Sequence, residues 1–250
     1  MKFLNVLLIG QASSGKSSFI NTCATALLDE NRIVTKVAVL EPMSSGVTTD
    51  FCAKPLKINE ERFLPVRLFD CRGLHSLNGI HDDDIIKICE GNIKSGYKFD
   101  PARSISTDHD KFRKEPSLSD KMHCVVYVAA ADIPKEMLAD AKAADQLKTL
   151  RMYLSGENIS QLLLLNKIDR LGIKNINTIF KNRMVKETCE GAKEFMDMPM
   201  GNILPMINYA DDVLPVDMKD FLALYSLWQM MNKAYDYVTA QLDIPDGFYD

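Results

Sequence analysis

The chain has 250 residues, 46% of them hydrophobic and 26% charged, and carries a net charge of −4. That length supports a sizeable core, and the balance is ordinary for a globular chain. The charge argues against a strongly basic nucleic-acid surface or an anionic-membrane surface, and no apolar run reaches the roughly 18 residues of a membrane span.

Taken in chain order, apolar runs alternate with helix-period segments, as in an α/β fold built from βα units. Residues 3–9 form a near-continuous apolar run, as a central parallel strand requires. This run is too short for a signal peptide and leads straight into Gln11-Ala12-Ser13-Ser14-Gly15-Lys16. A helix is expected at 17–28, and residues 30–47 read as a mobile loop. Strands at 51–58 and 63–69 are joined by Asn59-Glu60-Glu61, a link short enough for an antiparallel hairpin. Two further buried strands are expected at 124–131 and 161–165, with a helix at about 134–154 that opens on Pro134. A helix near 175–196 leads to a short strand at 203–208. In the last helix, Phe221, Leu224, Tyr225, Trp228, Met231, Tyr235 and Val238 step by three and four, which predicts that this face is buried. Residues 79–120 are polar and read as an extended loop with one helix at 83–94. The whole of 1–250 is expected to be one domain. Its sheet would be mostly parallel and six-stranded, with one antiparallel strand and helices on both faces.

The chemistry sits at the strand ends. Gly10-Gln11-Ala12-Ser13-Ser14-Gly15-Lys16-Ser17 matches G-x-x-x-x-G-K-[ST] between a strand and a helix. Its glycines let backbone N–H groups curl toward phosphate, and the following helix adds its positive end. Ser13, Ser14 and Ser18 extend this cradle. Lys16 is expected to reach the outer phosphates and Ser17 to ligate Mg²⁺. Asp70-Cys71-Arg72-Gly73 fits D-x-x-G, with Asp70 on the Mg²⁺ side and the Gly73 N–H sensing the γ-phosphate. Asn166-Lys167-Ile168-Asp169 closes a buried strand. Asp169 would accept hydrogen bonds from N1–H and the 2-amino group of guanine, a donor pair that adenine lacks. Asn166 would tie the base edge to the P-loop, and the stem of Lys167 would lie along the base. Asn208-Tyr209-Ala210 follows the last strand and would meet the guanine carbonyl. Thr48 and Thr49 are the two candidates for the threonine that closes over Mg²⁺. The fold class is therefore expected to be a P-loop NTPase G domain, and GTP or GDP and Mg²⁺ are the expected ligands. Asp82-Asp83-Asp84, between His81 and an apolar segment, reads as a helix start rather than a metal site. Met196, Met198, Met200 and Met206 read as packing. The six cysteines are scattered without a C-x-x-C pair and are expected to be free thiols in the cytoplasm.

Longer words go further. Gly96-Tyr97-Lys98-Phe99-Asp100, Pro116-Ser117-Leu118-Ser119-Asp120 and His123-Cys124-Val125-Val126-Tyr127-Val128 resemble the interferon-induced protein 44 family. So do the run from Gly201 to Ala210 and Met218-Lys219-Asp220-Phe221. The resemblance covers about residues 1–240. It implies a cytoplasmic GTP-binding protein linked to interferon or innate immunity, with an antiviral role, and it favours Thr48 over Thr49. Members commonly carry a domain ahead of the G domain, whereas here the first strand starts at residue 3. Several have Thr-Lys-x-Asp where this chain has Asn166-Lys167-Ile168-Asp169, the stronger guanine reader.

Lys16, Ser17 and Thr48 are the residues expected to serve catalysis. Ras-like enzymes orient water with a Gln just after D-x-x-G. Leu74 stands there instead and cannot hydrogen-bond water. Ser13, Ser14, His75 or Arg72 acting across an interface are alternatives. Two readings stay open: a slow GTPase, completed by homodimerisation through the nucleotide face, and a GTP-held scaffold for an unidentified protein partner. Neither calls for nucleic acid.

Overall fold

The computed structural model describes residues 2–28, 32–35, 50–71, 73, 79–100, 102–131, 141–173 and 175–242. Thr48, Thr49, Arg72, Leu74, His75 and Pro134 lie outside these residues.

The apolar run at the start is β1, Leu4–Ile9, in which Val6, Leu7, Leu8 and Ile9 have no solvent exposure. Each such side chain contributes about 1.5–3 kcal/mol of gross burial free energy. Six more strands complete the sheet: β2 Asp50–Lys57, β3 Phe63–Asp70, β4 Tyr97–Lys98, β5 Cys124–Ala130, β6 Ser160–Asn166 and β7 Ile203–Pro205. Their order is β4-β2-β3-β1-β5-β6-β7. β1 pairs in parallel with β3 and β5, as β5 does with β6 and β6 with β7. β2 runs antiparallel to both neighbours, β3 and β4. This is the doubly wound P-loop architecture expected from the sequence, with its one reversed strand. The seventh strand, β4, is the addition: two residues of a segment read as loop, too short to show a period.

Five α-helices lie among the described residues: α1 Lys16–Leu28, α2 Asp82–Cys89, α3 Ala141–Gly156, α4 Arg183–Met196 and α5 Asp217–Gln241. α1 and α5 pack on each other beside β1, and α2 packs on α3. The expected helix at 175–196 divides. Ile176–Lys181 is a 3-10 turn, and the Asn182 side chain then caps α4 by accepting from the N–H groups of Met184 and Val185 at 2.9 and 3.3 Å.

Residues 79–120 hold more structure than the one helix expected there. Asp82, Asp83 and Asp84 form the first turn of α2. Asp84 is fully buried, and its Oδ1 accepts from Ser104 Oγ at 2.5 Å and from the Ile105 N–H at 2.9 Å. Ile93 bridges to Phe112, and Lys87 donates to Ser104 Oγ at 2.6 Å. These hydrogen bonds link residues far apart in the chain, which no local period reveals.

The last helix corrects the sequence reading. α5 buries Leu222, Ala223, Ser226, Leu227, Met230, Ala234, Tyr237 and Val238. Of the residues expected to face inward, Phe221, Leu224, Tyr225, Trp228 and Tyr235 are exposed. Two apolar stripes run along this helix, and the spacing alone cannot choose between them. Ala223, Ser226 and Ala234 are small, so the stripe that carries them can approach α1 closely. Cys23 Sγ reaches the Ala223 carbonyl at 3.9 Å.

Candidate functional site

The parallel strands β1, β3, β5, β6 and β7 end at one edge of the sheet, so the loops that follow converge there. β1 leaves at Ile9 into the P-loop, and the register sets Leu8 beside Asp70 at the end of β3. Ala130 of β5 pairs with Asn166 of β6. Between these ends lies a cleft of about 620 Å³.

The P-loop backbone leaves no room for side chains at its glycines. A Cβ on Gly10 would sit 2.1 Å from the Val128 carbonyl oxygen. Gly15 has φ +101°, and a Cβ there would sit 2.0 Å from Asn166 Nδ2. Ser13 is held in the left-handed region at φ 59°. Lys16 opens α1, is buried, and donates to the carbonyls of Gly10 at 3.1 Å and Gln11 at 2.9 Å. Burial pushes its ammonium below the usual lysine range, against the pull of Cys71 and Asp70.

Ser17 Oγ donates to Asp70 Oδ2 at 2.5 Å. Burial raises the Asp70 carboxyl, while Ser17, Lys16 and Lys54 pull it down. Asp70 Oδ1 is buried and accepts no hydrogen bond among the described residues. A hydroxyl beside a carboxylate with one unused oxygen is a hard-oxygen donor set that fits Mg²⁺. Gly73 brings its backbone against the loop, where a Cβ would meet Ala12 N at 2.5 Å.

Asn166 is buried and donates from Nδ2 to the Ser14 carbonyl at 2.9 Å. Asn208 donates to the Gly15 carbonyl at 3.0 Å, and the Thr22 hydroxyl accepts from the Tyr209 N–H at 3.1 Å. Tyr209 Oη in turn donates to Asp220 in the first turn of α5 at 2.8 Å. Lys167, in the left-handed region at φ 57°, turns the chain so that Lys167 and the exposed Asp169 both line the cleft. Four buried oxygens accept no hydrogen bond among the described residues here: Ser14 Oγ, Asp70 Oδ1, Asn166 Oδ1 and Asn208 Oδ1. Such groups are rare in folded proteins and call for a partner.

The structure thus brings together Gly10, Ser13, Ser14, Gly15, Lys16, Ser17, Ser18, Asp70, Gly73, Asn166, Lys167, Asp169, Asn208 and Tyr209. Thr48 lies outside the described residues. Sequence reasoning missed Arg170, which lines the cleft, and Lys54, a buried lysine of β2 whose charge acts on Asp70. A lysine in the strand interior, between Ala53 and Pro55, was the available signal for Lys54. Cys71 also lines the cleft, but its thiol is buried and pushed up to about 12, far from a nucleophile. No cluster of metal-ligating His, Cys, Asp or Glu side chains occurs among the described residues, and all six cysteines are buried and free. Met196, Met198 and Met206 are core residues, while Met200 is 39% exposed.

Strand order, phosphate loop and strand-end loops together define a P-loop fold of the G-domain type. Along nearly its whole length the chain is similar to interferon-induced protein 44. It is 27% identical over 237 residues to interferon-induced protein 44 of Mus musculus, covering 93% of this chain and 55% of that protein. It is 29% identical over 241 residues to interferon-induced protein 44-like of Homo sapiens, covering 94% and 52%. For interferon-induced protein 44 of Homo sapiens the identity is 26% over 240 residues, covering 94% and 53%. The chain therefore spans about half the length of the curated relatives it matches. No family model matches it. Among solved structures, a variant of Aquifex aeolicus Era bound to GDP and aluminium fluoride superposes with a TM-score of 0.45 at 15% identity, over 99% of this chain and 58% of that one. A probable GTP-binding protein engB superposes with a TM-score of 0.45 at 14% identity, over 94% and 99%. No helix among the described residues is long and apolar enough to cross a membrane.

Proposed function

We propose that residues 1–250 form one guanine-nucleotide-binding domain that hydrolyses GTP slowly with Mg²⁺. The observation that carries the reading is the convergence, around one cleft, of Lys16 and Ser17 with four buried oxygens that have no partner among the described residues. Lys16 would exchange the Gly10 and Gln11 carbonyls for phosphate oxygens. Ser17 and Asp70, with Thr48, would hold Mg²⁺, whose charge would offset the negative charge that grows on the phosphates during transfer. Asn166 and Asn208 hold the P-loop in shape, and Asp169 would select guanine.

The name of the relatives links them to interferon. By that kinship we assign this chain an interferon-linked antiviral role in the cytoplasm, with a protein partner still to be identified. Leu74 at the position of the water-orienting Gln favours slow turnover, raised when a second copy approaches the nucleotide face. The same residue supports the second reading, a GTP-held scaffold with negligible turnover.

The test is binding and turnover of Mg²⁺·GTP against Mg²⁺·ATP over a wide range of protein concentration, for the native chain and for Asp169→Asn. GTP preference and turnover per molecule that rises with concentration are expected. The variant should move its preference toward xanthine nucleotides, because its amide donates where xanthine has a carbonyl. Equal binding of ATP would remove the guanine assignment. Tight GTP binding with flat, near-zero turnover would select the scaffold.

A further inference from the structure

A second polar cavity lies at the other edge of the sheet. β5 begins at Cys124 and β6 at Ser160, and a cavity of about 290 Å³ opens beside these strand starts, opposite the nucleotide cleft. A strand of seven residues such as β5 spans about 20 Å, so the two openings stand roughly that far apart. Glu90 and Asn92, just past α2, line the cavity with Lys121. Tyr153 and Glu157 at the end of α3 and Tyr237 of α5 close it. The nucleotide cleft uses none of these residues.

Tyr237 is the residue that calls for an occupant. It is 6% exposed, and its ring stacks on His123 at 6.1 Å between ring centres. Its hydroxyl has no hydrogen-bond partner among the described residues, although a buried tyrosine usually finds one. Burial and then the charge of Glu157 raise its pKa, which sets the hydroxyl beside that carboxylate at the cavity. Tyr153 Oη donates to Glu90 Oε1 at 3.3 Å, and burial, then Glu90, Cys89 and Glu157, raise its pKa as well. Asn92 donates from Nδ2 to the Arg113 carbonyl at 2.9 Å, which leaves its Oδ1 as an acceptor. Neither Glu157 nor Lys121 makes an ion pair among the described residues.

Charge and hydrogen-bonding capacity define the occupant. One ammonium does not cancel two carboxylates, so the cavity favours a cation. Acceptors also outnumber donors, because each carboxylate only accepts and Asn92 offers its oxygen. An ammonium brings three N–H donors, whereas a guanidinium brings five in a flat fork that matches carboxylates. The volume suits a small molecule or a single side chain, at the lower end of the roughly 300–1,000 Å³ usual for ligand pockets. We propose that this cavity is a binding site for a guanidinium group, paired with the carboxylates of Glu90 and Glu157 and hydrogen-bonded to the Tyr237 hydroxyl. The site stands on its own residues and does not rest on the guanine-nucleotide reading.

The experiment is a chemical-shift titration of the ¹⁵N-labelled whole chain with butylguanidinium, and with butylammonium as the matched amine. Butylguanidinium is expected to bind with a Kd below about 1 mM and to shift the amides of Glu90, Asn92 and Glu157 rather than those of the P-loop. Butylammonium should bind at least about fivefold more weakly, because it brings fewer donors. Glu157→Gln should weaken butylguanidinium by about fivefold or more. Tyr237→Phe removes the hydroxyl but keeps the ring on His123, and should weaken it by about threefold. The amide spectra of both variants establish that they fold, and their GTP affinity should stay within about twofold of the native chain, because the two sites lie at opposite edges of the sheet. No shift at about 10 mM butylguanidinium would overturn the proposal. So would equal binding of butylammonium, or binding that both variants leave unchanged.

Discussion

Single residues set the geometry around the cleft and also part of the molecule's response to pH. Gly15 and Asn166 illustrate the first, since any side chain at Gly15 would displace the amide that holds the Ser14 carbonyl. His123 illustrates the second. Its Nδ1 accepts from the Asn5 N–H at 2.8 Å, so Nε2 carries the proton and donates to the Leu118 carbonyl at 2.9 Å. Both nitrogens are used in the neutral ring, and protonation would turn the first contact into a clash of donors. Burial, with Arg67 nearby, pushes its pKa below the ordinary 6.5, although the Leu118 carbonyl pulls the other way. As pH falls through that ordinary value, the unfolded chain takes up a proton that the folded chain refuses, and stability drops. Above it both states are neutral and the contribution is flat. Urea unfolding between about pH 7.5 and pH 5.5 should therefore show a loss of up to ~1.4 kcal/mol per pH unit from this group. His123→Gln should be less stable at neutral pH but should lose that part of the slope. The cleft residues were legible in the sequence because each lies in a short motif next to a strand. Lys54 and Arg170 were not, because their place beside Asp70 or on the cleft comes from pairing and folding of distant segments.

Secondary-structure elements were legible where one pattern dominated. β1, β5 and β6 are buried on both faces and read as plain apolar runs. α4 was harder, because the helical period runs on through Ile176–Lys181 while Asn182 breaks it. The cap has a measurable consequence. Asn182→Ala leaves the N–H groups of Met184 and Val185 without their acceptor and should destabilise the chain by about 1 kcal/mol, read as a shift of the urea midpoint with unchanged slope. Asn182→Asp should keep most of the stability, because a carboxylate accepts the same hydrogen bonds and suits a helix N-terminus. α5 was misread for a physical reason: periodicity reports that a face is apolar, not what covers it.

At the scale of the whole molecule, the cleft exists only in the folded chain. Residues 10–18, 70, 71, 73, 166–170 and 208–210 come from four separate strand ends and meet only when the sheet is assembled. A ligand that binds there must stabilise the entire fold. At a hundredfold excess over its dissociation constant, Mg²⁺·GTP should add ~2.7 kcal/mol. For a domain of this size that is a rise in melting temperature of roughly 5–10 °C, measurable by thermal unfolding. Mg²⁺·ATP should give less, and Lys16→Ala should give none with either nucleotide.

The sequence by itself determined the phosphate loop, the order of the motifs and the alternation of strands and helices. These are local facts, written in glycine positions, in buried runs and in the residues that follow each strand. Tertiary structure alone decided which stripe of α5 faces the core, that residues 97–98 add a strand, and which polar atoms around the cleft have no partner among the described residues. Those outcomes depend on volume and on partners distant in the chain. A spacing rule carries neither, because it compares a residue only with its neighbours in sequence.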